Sequence, residues 1–151
     1  MVSGPLAAGL LRGADWFNDA LLVELVAAGW PKLTRNQAQV FPLLPEQGVS
    51  QAELARRLGI TRQSVHTIVR ELSEFGILEQ RGDDTDGRRT LVVLTTRGNR
   101  LAADAGRILS VLEVALAERI GTEAVDAIRD AVGCDWGTAP TMSTSHDTSS
   151  G

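Results

Sequence analysis

Residues 50–76 read SQAELARRLGITRQSVHTIVRELSEFG, and they spell two short helices joined by a tight turn. Ser50 with Glu53 three positions on is a capping-box pattern, in which a hydroxyl and a carboxylate satisfy the free amides of a helix start. Leu54, Ala55 and Leu58 then recur at helical spacing. Gly59 stops this helix, because glycine accepts the left-handed conformation that a helix end needs. Thr61 is placed to cap the next one, whose apolar positions Val65, Ile68, Val69, Leu72 and Phe75 follow three- and four-residue steps up to Gly76. The opposite face presents Thr61, Arg62, Gln63, Ser64, His66, Thr67 and Arg70, with no carboxylate before Glu71. Such guanidinium, amide and hydroxyl groups donate to phosphates and read base edges in a DNA major groove. The stretch predicts a helix-turn-helix.

Downstream, Ile77–Arg81 reads as a first strand and Thr90–Leu94 as a returning one. Between them Gly82-Asp83-Asp84-Thr85-Asp86-Gly87 is dense in turn formers and predicts an exposed hairpin tip. Thr95 or Thr96 is expected to cap a long helix reaching about Ile120. Its middle, Ile108 to Leu116, is apolar over too wide an arc for one core, so it is expected to face a partner as well. Thr122 starts a last short helix, with Val125, Ile128 and Val132 expected inward. Upstream, apolar residues at 6, 10, 14, 17, 21, 25 and 28 predict a long amphipathic helix over Leu6–Ala28, with Gly29-Trp30-Pro31 as the break. Thr34 then caps a helix expected to run to about Leu44, with Ala38, Val40, Phe41 and Leu44 inward and Pro42 shortening or kinking it.

At 151 residues and 43% hydrophobic, the chain has room for a real core. The net charge of −4 does not announce a nucleic-acid binder, but its distribution is uneven. Residues 51–100 hold nine arginines against seven acids, so a basic middle lies between acidic ends. One cysteine, Cys134, excludes an intramolecular disulfide, and no signal or membrane-spanning pattern is visible; a cytoplasmic protein is expected. Two histidines and one cysteine build no zinc site. Phosphate-cradling glycine loops and nucleophile elbows are absent, and the acids at 83, 84 and 86 lack the spacing of a calcium loop. Neither enzyme activity nor a cofactor or metal is expected.

The order helix, helix, helix-turn-helix, wing, long helix, short helix resembles the MarR family of winged helix-turn-helix regulators. The resemblance covers about Leu6 to Val132. It rests on Glu53 through Val65, on Asp83-Asp84-Thr85-Asp86-Gly87-Arg88-Arg89, and on Leu94-Thr95-Thr96-Arg97-Gly98. It implies a mainly α (α+β) fold and a bacterial, ligand-responsive regulator of transcription, most simply a repressor. It implies also a homodimer joined by its terminal helices and a pseudo-palindromic double-stranded operator, with half-sites roughly 34 Å apart. On this resemblance residues 1–33 form a dimerisation helix and linker, 34–95 the DNA-binding lobe, 96–132 further dimerisation helices and 133–151 a disordered tail.

The family's Asp-x-Arg wing element matches Asp86-Gly87-Arg88, which implies that Arg88 enters a minor groove, where the negative potential is enhanced, while Asp86 holds the wing. Arg89 is a candidate phosphate contact. A small aromatic effector, known for the family, would have Trp16, Phe17 and Trp30 as its candidate contacts; core packing is the competing role for each. Cys134 beside Asp135 has no neighbouring cation in sequence to activate it, and a passive role is expected. One alternative stays open on sequence: a winged-helix module that binds a protein and not DNA, to which the negative total charge is suited.

Overall fold

Leu54, Val65 and Leu72 are fully shielded from solvent and join one apolar cluster with Val40, Val69, Ile77, Leu78, Val92 and Leu101. At ~1.5–3 kcal/mol for each fully buried side chain of this size, that cluster is what holds the lobe together. The computed structural model describes residues 4–141 of the chain. Its helices are α1 (Leu6–Ala27), α2 (Arg35–Ala38), α3 (Gln51–Leu58), α4 (Arg62–Glu74), α5 (Thr96–Ile120) and α6 (Thr122–Gly133), with strands β1 (Leu78–Gly82) and β2 (Thr90–Leu94) between α4 and α5. This is the expected winged helix-turn-helix order. The chain divides into two compact units at Leu112/Glu113, within the length of α5. Residues 1–3 and most of the tail expected to be disordered, 142–151, lie outside the described residues.

The predicted stops and caps form as local chemistry requires. Gly59 takes φ 66° at the end of α3, and Thr61 Oγ1 accepts from the Ser64 amide at 3.1 Å to open α4. Ser50 Oγ accepts from the Glu53 amide at 3.2 Å, but the Glu53 carboxylate does not return to the cap; it binds Arg56 and Arg57. Thr95, with Oγ1 accepting from the Gly98 amide at 3.0 Å and donating to the Gly76 carbonyl at 2.6 Å, fastens the start of α5 to the end of α4.

The strands pair antiparallel, with Leu78 opposite Leu94 and Gly82 opposite Thr90. A third segment joins them: Val49 and Val92 exchange amide-to-carbonyl hydrogen bonds of 3.1 and 2.8 Å. The preceding Gly48 has φ 90°, and a Cβ there would meet Val93 Cγ1 at 2.6 Å. At Gly98 a Cβ would stand 2.2 Å from the Ile77 carbonyl oxygen, so α5 crosses the end of the helix-turn-helix at glycine distance.

Three expectations need correction. The helix opened by Thr34 stops at Ala38 and gives way to a 3-10 turn over Phe41–Leu43, because Pro42 carries no amide to continue it. Phe75, expected on the buried stripe of α4, is the C-cap of that helix and stands 38% exposed. In α6 only Val125 is buried; Ile128 and Val132 stand 47% and 50% exposed. Much of the apolar surface of the long helices is likewise uncovered, with Leu11, Val23, Val111 and Val114 each more than 60% exposed.

Candidate nucleic-acid interface

Burying Val65, Ile68, Val69 and Leu72 against the lobe turns the other side of α4 to solvent. Arg62, Gln63, Ser64, His66 and Arg70 are exposed there, and Thr67 is half-buried. The two threonine hydroxyls are engaged locally. Thr61 Oγ1 serves as the helix cap and lies 2.8 Å from Ser64 Oγ, and Thr67 Oγ1 donates to the Gln63 carbonyl at 3.2 Å. That leaves Arg62, Gln63, His66 and Arg70 as the longer groups projecting from the first three turns. Arg70 has only a loose contact with Glu74, 3.9 Å.

The hairpin tip is held by its acids. Asp83 accepts from both the amide and the hydroxyl of Thr85, at 3.0 and 2.7 Å, and these bonds lower its pKa below the ordinary aspartate value. Asp86 Oδ1 accepts from the Arg88 amide at 3.2 Å, and its carbonyl accepts from the Arg89 amide at 2.9 Å. Asp86 therefore braces the backbone of the turn, and Arg88 keeps its guanidinium exposed and without an ion-pair partner among the described residues. Arg62 is equally uncommitted, and Arg89 acts electrostatically on Asp83.

Neighbouring arginines differ. Arg56 and Arg57 share Glu53 at 2.7 and 2.8 Å, which brings the Glu53 pKa down to about 2. Arg81 is paired with Glu79 at 2.6 Å. Within the helix-turn-helix and wing, Arg62 and Arg88 therefore have no ion-pair partner among the described residues, and a polyanion bound there displaces none.

The aromatic candidates do not gather in one place. Trp16 and Phe17 meet edge to face on α1 with centroids 4.9 Å apart. Trp30 instead lies against α5: its indole N–H donates to Asp104 at 2.7 Å, and the Arg97 guanidinium stands 5.0 Å over its ring. Arg107 pairs with the same Asp104. An open pocket of about 470 Å³ is lined here by Trp30, Arg97, Arg100, Ala103, Asp104 and Arg107. The α5 residues 97, 100, 104 and 107 fall on one helical face, a spacing that was the available sign of this pocket in the sequence. Cys134 is exposed, with Sγ 3.1 Å from the Asp130 carbonyl. Among the described residues no cluster of ligating side chains is suited to a metal ion, and no helix is long and apolar enough to cross a membrane.

Residues 32–89, from the end of the α1–α2 connection through the wing arginines, match the MarR family. The chain is 30% identical to the uncharacterized protein Rv2011c of Mycobacterium tuberculosis over 125 residues, 83% of this chain and 81% of that one. It is 32% identical to the transcriptional repressor Rv2887 of the same species over 73 residues, 48% of this chain and 52% of the relative. The structure of Rv2887, a MarR family protein solved with salicylic acid, superposes with a TM-score of 0.64 at 25% identity, covering 87% and 96% of the two chains. CouR of Rhodococcus jostii RHA1, solved with p-coumaroyl-CoA, gives a TM-score of 0.67 at 26% identity over 86% and 90%. With the wing, the helix-turn-helix and the flanking helices in the same order, this chain belongs to the MarR family. It is a winged helix-turn-helix transcriptional regulator.

Proposed function

We propose that the protein is a homodimeric, ligand-responsive repressor that binds a pseudo-palindromic DNA operator. Each α4 would lie in a major groove, with Arg62, Gln63, His66 and Arg70 reaching bases and phosphates, and Thr61, Ser64 and Thr67 near the backbone. Arg88 would enter the adjacent minor groove, braced by Asp86, and Arg89 would meet phosphate. The observation that carries this reading is the contrast among the arginines. Arg56 and Arg57 on α3 share the one Glu53 carboxylate and Arg81 on β1 pairs with Glu79, whereas Arg62 and Arg88 have no ion-pair partner among the described residues. The uncovered apolar faces of α1, α5 and α6 support a dimer built from the terminal helices, because patches of this kind on small proteins mark interaction surfaces.

For the effector we favour a small aromatic acid at the Trp30 pocket, where an indole lies beside Arg97 and Arg100. Salicylic acid bound to Rv2887 supports that class. Release of DNA would follow if the acid favoured a dimer whose recognition helices are wrongly spaced.

The test is selection of binding sites from random DNA, followed by anisotropy titration at two salt concentrations with nonspecific competitor. A palindromic consensus bound with a steep salt dependence is expected. Binding that disappears with competitor, and no enrichment, would favour the protein-interaction module instead. Salicylate quenching of tryptophan fluorescence, lost in Trp30→Phe and weakened in Arg100→Ala, tests the effector site.

A further inference from the structure

Gln37 is the one buried polar residue among the described residues, at 4% exposure. It sits on α2, a single turn, and both ends of its amide are used. Oε1 accepts from the Thr34 amide at 2.9 Å, completing a reciprocal capping box with the Thr34 hydroxyl. Nε2 donates to Glu71 Oε2 at 2.7 Å. Glu71 belongs to α4 and lies one turn beyond Thr67, on the flank of the face that carries Arg70. The helix so short that it could not stand alone is itself tied down, since Arg35 pairs with Asp15 and Asp19 of α1.

A carboxylate on that flank, released toward DNA, would repel phosphate. A buried amide donating to it does two things. It holds the charge back, and it fixes the rotation of α4 by a bond that hydrophobic contacts alone do not supply, charge-assisted hydrogen bonds being short and directional. We propose that Gln37 is a positioning residue for operator recognition. It sets the recognition helix through Glu71, and base readout depends on that bond. This inference rests on α4 reading DNA as proposed above.

The experiment compares affinity for the selected operator with affinity for nonspecific duplex of equal length and salt, in wild type, Gln37→Ala, Gln37→Glu, and the swap Gln37→Glu with Glu71→Gln. The swap restores a hydrogen bond with its polarity reversed and keeps an acceptor for the Thr34 amide. Gln37→Ala is expected to lower the operator-to-nonspecific ratio about tenfold while nonspecific affinity changes by about twofold or less. Gln37→Glu, which sets two carboxylates together, is expected to lower it at least as far. The swap is expected to recover the wild-type ratio to within about threefold. If Gln37→Ala fails to fold, the single and double Glu variants decide alone. A fall in thermal stability with an unchanged ratio would overturn the proposal, as would a swap no better than Gln37→Glu. A wild-type protein that prefers no DNA sequence would instead overturn the regulator reading, and this inference with it.

Discussion

The winged lobe seals its apolar residues, whereas the terminal helices bury some, Leu25, Leu101 and Val125 among them, and leave many others uncovered. In the lobe, Leu54, Val65, Leu72, Ile77 and Val92 are sealed inside one cluster drawn from α3, α4 and both strands. On α1, α5 and α6, Leu11, Val23, Val111, Val114, Ile128 and Val132 stand in solvent although their helices are regular. Helix formation and core formation are therefore separate events here. The lobe closes its core within one chain, and the long helices hold apolar surface for something outside it.

The largest effect expected from that contrast is inside the lobe. Leu72→Ala should cost about 2–5 kcal/mol in urea denaturation, because the site is ringed by other buried residues and cannot collapse. Val111→Ala should cost the isolated subunit far less, within the ±0.5 kcal/mol typical of surface positions. Equal costs would erase the distinction between the two regions. Next in size, a Val111→Glu, Val114→Glu double variant should raise the dimer dissociation constant about tenfold or more in sedimentation equilibrium, with the lobe's circular dichroism retained. An unchanged association state would show that these faces meet some other partner.

Within the lobe the comparison narrows to its arginines. Arg88→Ala should weaken operator binding and reduce the slope of log affinity against log salt by about one, whereas Arg56→Ala, already shared with Glu53, should leave the slope nearly as it was. A reversal would exchange their roles. The smallest effect concerns Glu53 itself. Its pKa is depressed in the folded protein, mainly by hydrogen bonds from Arg56 and Arg57, so its stabilising contribution is present above the ordinary glutamate range and is lost as pH falls toward about 2. Glu53→Gln should therefore lower stability slightly above about pH 4.5 and flatten the acid limb of a denaturation profile below it, the two proteins converging as pH falls toward about 2.

The sequence made the lobe legible because its signals are local. Gly59 and Gly76 stop helices, Thr61 caps one, and Thr90–Leu94 is β2 to the residue. The same locality explains the misses. Ser50 and Glu53 form half a capping box because Arg56 and Arg57 compete for the carboxylate, and Thr34 with Gln37 form a whole one in a helix of four residues. Periodicity marked Ile128 and Val132 as apolar without saying whether the chain itself covers them. Residue type and the family resemblance nominated the DNA-facing candidates; the fold then separates Arg62 and Arg88, exposed and without an ion-pair partner among the described residues, from the locally bonded Thr61 and Thr67. The pocket at Trp30 joins residues some seventy positions apart; the helical spacing of 97, 100, 104 and 107 marks its α5 wall but not the approach of Trp30.

The short bridge between Val49 and Val92, closed down by Gly48, has a consequence for how DNA would be measured. It ties β2 to Val49, two residues before α3 begins at Gln51, and so couples the base of the hairpin to the start of the helix-turn-helix. On the proposed mode of binding the subunit is a fixed caliper, its two jaws set to one major-to-minor groove interval. A base pair inserted between those two contacts within a half-site should be intolerable. Any adjustability in the operator would have to reside between the half-sites, where the span is set by the dimer and not by the wing.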